Sequence, residues 1–292
     1  MKQVFARKSA TLPLLLSLIT GAPLAVYAQQ GAVLPTQKVL VITREVTKPG
    51  KDGTPHEKTE GAFVHALAAG KSDLHYYAAT SLSGPPRALF FSAYPSFAAW
   101  QQVQKSVMSN ATLSAALDRA NTADGELLSE TALSVWTSRD DLSLNPGFRV
   151  GARLMEIRVF HVRPGHGKEW DDLVKMVIEG YKKGVPDAHW GMYEEVYGMD
   201  GGEYIGITTL KSATEIDKGF GDDKKFADAM GEDGMKKLDE LEAACVESRY
   251  SNLFMIDPKM SYPAEAMVNA DPEFWKPKVE PKAPTPAKAP AQ

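Results

Sequence analysis

Residues 154–170, LMEIRVFHVRPGHGKEW, carry the reading on which the fold depends. Residues 154–163 are rich in β-branched and aromatic side chains and alternate, the pattern of a strand, and Pro164-Gly165 ends it. From 168 to 182 the period changes. Trp170, Leu173, Val174, Val177, Ile178 and Tyr181 recur at spacings of three and four, one apolar stripe along a helix, with Gly184 and Pro186 as stop signals. Outward from there, 189–197 and 203–210 read as a hairpin around Gly198-Met199-Asp200-Gly201-Gly202. Ser212 opens a broken helical region whose last segment carries Met235, Leu238, Leu241 and Cys245 on one stripe, and 248–256 reads as a closing strand. The order is strand, helix, strand, strand, helix, strand.

The same order recurs upstream. Pro49-Gly50 matches Pro164-Gly165, Asp73-Leu74-His75-Tyr76 matches Asp187-Ala188-His189-Trp190, Phe90 matches Ile205, and Ser96 matches Ser212, all at offsets of 114 to 116 residues. The first copy is expected at 39–46, 57–69, 74–81, 87–94, 96–120 and 131–137. A βαββαβ unit makes one antiparallel sheet with helices on one face and leaves the other face bare. Two such ferredoxin-like units, 37–140 and 150–260, can cover each other sheet to sheet as a pseudo-dimeric α+β barrel. The linker between them, with Asn145-Pro146-Gly147, is long enough to let the second unit turn over.

Composition narrows the function. Residues 1–28 read as a cleavable signal peptide: Lys2, Arg7 and Lys8 precede an apolar stretch, and Val26-Tyr27-Ala28 places small residues before a cut at Gln29. The expected location is therefore secreted or periplasmic, with no membrane span after cleavage. The signal holds three of the 33 Lys and Arg and none of the 37 Asp and Glu, so the mature chain carries −7, which argues against a nucleic-acid partner. With Cys245 as its one thiol, an exported chain has no internal disulfide and must rest on burial. Residues 276–292, KPKVEPKAPTPAKAPAQ, have little to bury and read as a disordered Lys/Pro/Ala-rich tail.

The segment MEIRVFHVRPGHGKEW resembles the opening of NIPSNAP-like domains, in which a Glu-x-Arg strand runs into Pro-Gly and a helix; Glu156, Arg158, Pro164 and Gly165 hold those positions here. The element order and duplication over 37–260 are similar to the dimeric α+β barrel superfamily. That superfamily includes antibiotic-biosynthesis-type monooxygenases, haem-degrading oxygenases and chlorite-dismutase-like haem proteins. The first copy has Thr43, Arg44 and Glu45 near the matching place, so Glu-x-Arg is not kept there and two equal sites do not follow.

Alternation sorts the strand of the second copy into Met155, Ile157 and Val159 on one face and Glu156, Arg158, Phe160 and Val162 on the other. If the all-apolar set meets the helices, Glu156 and Arg158 face the space between the sheets. There they form an ion pair, or reach Arg249 or Glu247, or Arg158 grips a substrate carboxylate or enolate. His75 and His189 hold the same place in both copies. Each can act as base, acid or haem ligand, or be a strand-end histidine oriented by the Asp two residues before it. Tyr76, Tyr193 and Trp190, with other strand aromatics, are expected toward the inter-sheet core. The candidate catalytic residues are thus His189 and Arg158, and the candidate ligand-binding residues His75, Glu156, Tyr193, Trp190 and Tyr76. No metal is expected, because His161, His166 and Glu169 straddle a strand end and a turn. There is no HExxH, no Gly-rich phosphate loop and no Gly-x-Ser-x-Gly. Cys245 reads as core and the run 221–225 as a solvated turn.

The leading expectation is an exported α+β barrel that binds a small apolar or aromatic molecule without a tightly bound cofactor, as monomer or homo-oligomer. A cofactor-independent monooxygenase or isomerase acting on a phenolic or quinone-like substrate is the alternative. An envelope interaction protein using its tail is a third reading. Haem is the one prosthetic group that the resemblance brings into view.

Overall fold

The computed structural model describes residues 32–276. The signal peptide read over 1–28, and all but the first residue of the tail read over 276–292, lie outside them. In chain order, β1 (Val33–Leu34) precedes β2 (Val39–Thr47), α1 (Thr54–Ala69), β3 (Tyr76–Ser81), β4 (Arg87–Tyr94), α2 (Phe97–Ser109), α3 (Ala111–Gly125) and β5 (Leu128–Ser138). Then follow β6 (Phe148–Arg149), β7 (Leu154–Val162), α4 (Gly167–Gly184), β8 (Gly191–Tyr197), β9 (Glu203–Leu210), α5 (Thr214–Cys245), β10 (Val246–Tyr262), α6 (Glu265–Ala270) and α7 (Pro272–Trp275). None of the described helices is long and apolar enough to cross a membrane.

Eight strands close into one antiparallel barrel in the order β10-β3-β4-β2-β5-β8-β9-β7. Strands β3, β4, β2 and β5 form one contiguous block, and β8, β9, β7 and β10 the other. Within each block the strand from before the first helix lies between the third and fourth strands, as in a ferredoxin-like sheet. Two further ladders join the blocks, β5 on β8 and β10 on β3. Every barrel strand therefore has both edges paired, and no edge is left as a template for aggregation.

Local sequence explains most element ends. Ser96 caps α2 by accepting from the Ala99 amide at 3.1 Å. The helix expected over 96–120 is two helices, because Asn110 adopts extended backbone and its side chain accepts from Leu113 N, starting α3 afresh. The expected break in the long helix of the second block falls at Gly231, whose φ of 67° favours glycine. Helix α4 ends at Gly184, two residues before Pro186, as the sequence suggested. The role of this glycine is close approach, since a Cβ there would sit 2.5 Å from the Lys225 carbonyl oxygen of α5.

The interior row combines Leu40, Ile42, Phe91 and Trp136 from the first block with Met155, Ile157, Tyr193, Ile205 and Phe254 from the second. This reverses the expected faces of β7. Met155, Ile157 and Val159 point into the barrel, whereas Phe160 and Val162 pack under α4 with Trp170 and Leu173. The barrel interior excludes water from all sides, but the helix layer covers the outer face only in part. The all-apolar set therefore goes inward, and Glu156 and Arg158 take the outer face, where water still reaches them.

One barrel end is shut by elements absent from the sequence reading. Strands β1 and β6 pair as a two-stranded ribbon. Trp275 of α7 is buried with Ala152 and Ile256, and Phe148 packs on Tyr77 with ring centroids 5.3 Å apart. Arg153 fixes the following turn by a 2.7 Å bond to Asp271 and by lying over the Phe274 ring.

Two glycines give a paired test of the helix layer. Gly184→Ala forces backbone apart and should lower stability by about 1–3 kcal/mol, read as a lower urea midpoint at unchanged slope. Gly61→Ala, inside α1 with nothing within 4 Å of the new Cβ, should raise stability by about 0.5–1 kcal/mol.

Candidate functional site at the open end of the barrel

At the end opposite Trp275 the inward rows of the strands become polar. On β2 the row Leu40, Ile42 continues to Arg44, and on β4 the row Phe91, Leu89 continues to Arg87. Across the barrel, β7 continues from Val159 to His161, β9 from Ile205 to Glu203, and β10 from Phe254 to Tyr250. Ladder register sets His161 opposite Glu203 and Tyr250 opposite Val159. Tyr250 is 55% exposed, so solvent reaches the side chains at this end.

The two walls differ in charge. Arg87 lies over the ring of the interior Phe254, 5.3 Å from its centroid. Its guanidinium has no carboxylate partner among the described residues. Partial burial lowers its pKa, Tyr250 opposes this and Arg44 adds repulsion, yet an arginine stays charged. Arg44 beside it pairs with Glu130. On the facing wall, His161 Nε2 lies 3.4 Å from Glu247 and its Nδ1 3.9 Å from Glu203. Glu203 Oε2 is buried without a partner. Burial raises the Glu203 pKa, His161 opposes the rise, and Asp200 and Glu195 reinforce it.

The residues singled out from sequence do not converge. Tyr193 is an interior residue of the barrel, its hydroxyl pushed up to about 12 by burial. Tyr76 packs outside, with Leu67 and Phe90. Trp190 packs near α4 and donates to the Leu142 carbonyl at 2.9 Å. Glu156 and Arg158 face outward and bond each other at 2.8 Å. Their expected partners are engaged elsewhere, Arg249 with Glu242 and Glu247 with His161. Arg158 stands opposite Gly206 on β9, while His189 donates from Nε2 to the carbonyl of Thr209, further along the same strand. His166 lies 3.8 Å from Glu169, and His161 belongs to the mouth instead. The run 221–225 is not a turn but part of α5, where Asp222 is buried and takes a bond from Lys225 at 2.6 Å. Cys245 is buried in the core, and burial pushes its thiol up.

A haem would need an imidazole nitrogen free over an apolar cavity. His189 commits Nε2 to Thr209, and His75, whose Nδ1 is buried without a hydrogen-bond partner, has its ring face covered by Tyr262, stacked with centroids 5.0 Å apart. These residues do not fit the group.

A second constellation, unread in the sequence, lies outside the barrel wall. Glu45 points outward from β2 and meets His56 and Glu60 of α1 and Asp124 of α3. His56 Nε2 lies 3.0 Å from Glu45, 3.5 Å from Asp124 and 3.9 Å from Glu60. Thr59 donates to Asp124 at 2.6 Å. Burial, with repulsion from Glu45 and Asp124, pushes Glu60 up to about 10. The legible part of this signal was His56 and Glu60 four residues apart, which puts both on one helix face. Glu45 and Asp124 reach them only through the fold.

No protein-family model matches the chain, and no curated relative matches it. Solved structures do. A provisionally named monooxygenase of Fusobacterium nucleatum subsp. nucleatum superposes at a TM-score of 0.51 with 11% identity, over 76% of this chain and 94% of that one. An anthrone oxidase-like protein reaches 0.47 with 13% identity, over 78% and 94%. A chlorite dismutase of Candidatus Nitrospira defluvii reaches 0.45 with 11% identity, over 80% and 96%. The likeness to the Fusobacterium structure is one of fold, a closed antiparallel barrel with helices packed on its outside.

The facing wall of the mouth carries a pH signature. Glu203 holds its proton more tightly folded than unfolded, so its contribution to stability falls as pH rises from the ordinary carboxyl range through the raised value. Glu203→Gln should therefore gain in urea midpoint relative to wild type over the pH window that opens above the ordinary carboxyl value of about 4. A constant difference across that window would contradict the assignment.

Proposed function

We propose that the protein is an exported α+β barrel whose mouth binds a small, largely apolar or aromatic molecule bearing one anionic group. The observation that carries this reading is Arg87: a cation seated on the Phe254 ring, beside Tyr250 and Arg44, with no carboxylate partner among the described residues. A planar anion could stack at the aromatic rim and take the guanidinium as its partner. The filled interior below, with Ile42, Phe91 and Ile157, supplies an apolar floor. The two four-stranded blocks, with their matching strand orders, are read as a duplicated unit whose copies have diverged. Arg44 and Arg87 come from one copy, and His161 and Glu203 from the other. The NIPSNAP-like opening of the second copy and the export signal rest on the sequence residues themselves.

A second reading uses the same mouth. An arginine that stabilises a phenolate also suits cofactor-independent oxygenation of a phenolic or quinol substrate by dioxygen, and the Fusobacterium structure of like fold is named as a monooxygenase. Dioxygen uptake with a quinol substrate separates this from binding alone.

The binding test compares 2-naphthoate with its uncharged amide by thermal shift and calorimetry. The carboxylate should stabilise the protein and the amide should not. Arg87→Gln should weaken carboxylate binding by about 10- to 100-fold, the size of a hydrogen bond to a charged group. Equal binding by carboxylate and amide, or an Arg87→Gln variant of undiminished affinity, would sink the reading.

A further inference from the structure

Three carboxylates converge on one imidazole in the cluster of Glu45, His56, Glu60 and Asp124. One ligand atom from each side chain lies within 4.8 Å of every other. All four side chains are withdrawn from water, with 4% exposure for His56 and Glu60, 3% for Asp124 and 12% for Glu45. Among the described residues no lysine or arginine pairs with any of them. With all three carboxylates ionised and His56 protonated, the group would carry a net −2 in a poorly solvated place, which is costly.

Two further observations point to something between these groups. Glu60 Oε1 is buried and accepts no hydrogen bond. Tyr76, 9% exposed on strand β3, has a buried hydroxyl that is also unpartnered. The spacing is informative as well. Ligands bound at about 2.1 Å in a tetrahedron are about 3.4 Å from one another. The distances from His56 Nε2 to the three carboxylates, 3.0, 3.5 and 3.9 Å, bracket that edge.

We infer that Glu45, His56, Glu60 and Asp124 form a binding site for a divalent transition-metal ion, of the manganese-to-zinc series, that clamps α1 and α3 to the barrel wall. The donor set decides the class. One imidazole nitrogen with carboxylate oxygens suits Mn²⁺, Fe²⁺ or Zn²⁺; the absence of sulfur among these four disfavours Cu⁺, and Mg²⁺ and Ca²⁺ prefer all-oxygen ligands. Four protein ligands in a closed, buried site describe a structural ion. Thr59, donating to Asp124, orients that carboxylate as an outer partner should. The site is independent of the mouth proposal, although Arg44 and Glu45 are neighbours on β2 facing opposite sides of the wall.

The test uses untagged full-length mature protein stripped with a chelator. Zn²⁺ and Mn²⁺, each alone, and Mg²⁺ as control are titrated while the melting temperature is followed and bound metal is counted by elemental analysis. One equivalent of Zn²⁺ or Mn²⁺ should bind, and saturation at a hundredfold the Kd should raise the melting temperature by about 5 °C or more, with no shift from Mg²⁺. Glu60→Gln and Asp124→Asn, each near-isosteric and checked for native circular dichroism, should lose at least tenfold in affinity, while His166→Ala should not. An anomalous-scattering peak among the four side chains would support the site. No uptake of Zn²⁺, Mn²⁺ or Fe²⁺ by the wild type would overturn it, as would uptake undiminished in both folded variants. In either case the cluster is a proton-sharing network that needs no ion.

Discussion

Closure of the hydrogen-bonded ladder is the constraint on which the other features depend. Eight strands that pair all the way around leave no backbone edge to be satisfied by water, so the inward row has to be filled by side chains alone. That requirement selects Leu40, Ile42, Phe91, Met155, Ile157 and Phe254 for the middle of the barrel, because an unpaired charge there would meet no solvent. It also restricts where polarity can enter. With one end covered by Phe148 and Trp275, inward-facing charges can be hydrated only at the other, and Arg44, Arg87, His161 and Glu203 all lie there.

The outer face obeys a looser rule, with two results. Where helices cover it, as α2 covers Val39 and Val41 and as α1 and α3 meet Glu45 at the far end of β2, the side chains are withdrawn from water, and polar ones gather into the His56-centred cluster. Where cover is thin, as over the middle of β7, Glu156 and Arg158 pair with each other in contact with water. Exposed pairs of that kind contribute little to stability. Strand β2 shows the contrast over two successive residues: Arg44 belongs to the mouth and Glu45 to the cluster.

Much of the architecture was legible in the sequence for a local reason. The period of Trp170, Leu173, Val174 and Ile178 does not depend on what the helix packs against, and α4 lies where that stripe predicts. The hairpin of β8 and β9 and the cap at Ser96 are likewise short-range. The faces of β7 were misread because an all-apolar row can meet either helices or a second sheet, and alternation alone does not say which. The candidate site scattered for a related reason. Tyr76 and Trp190 lie one residue out of phase with the interior rows that hold Tyr77 and Tyr193, and a one-residue change of phase moves a side chain through the sheet.

By itself, then, the sequence determined the eight barrel strands, the positions of the helical segments between them, their apolar rows and the charge of the chain, since each follows from spacing or composition within a few residues. The tertiary structure alone decided which row faces inward, which end is shut by α7, and which charges meet. Arg87 reaches Phe254 across the β10–β3 seam, and Asp124 reaches His56 between two helices. Such meetings arise from ladder register and helix packing between segments far apart in the chain, and no local pattern of residues specifies them.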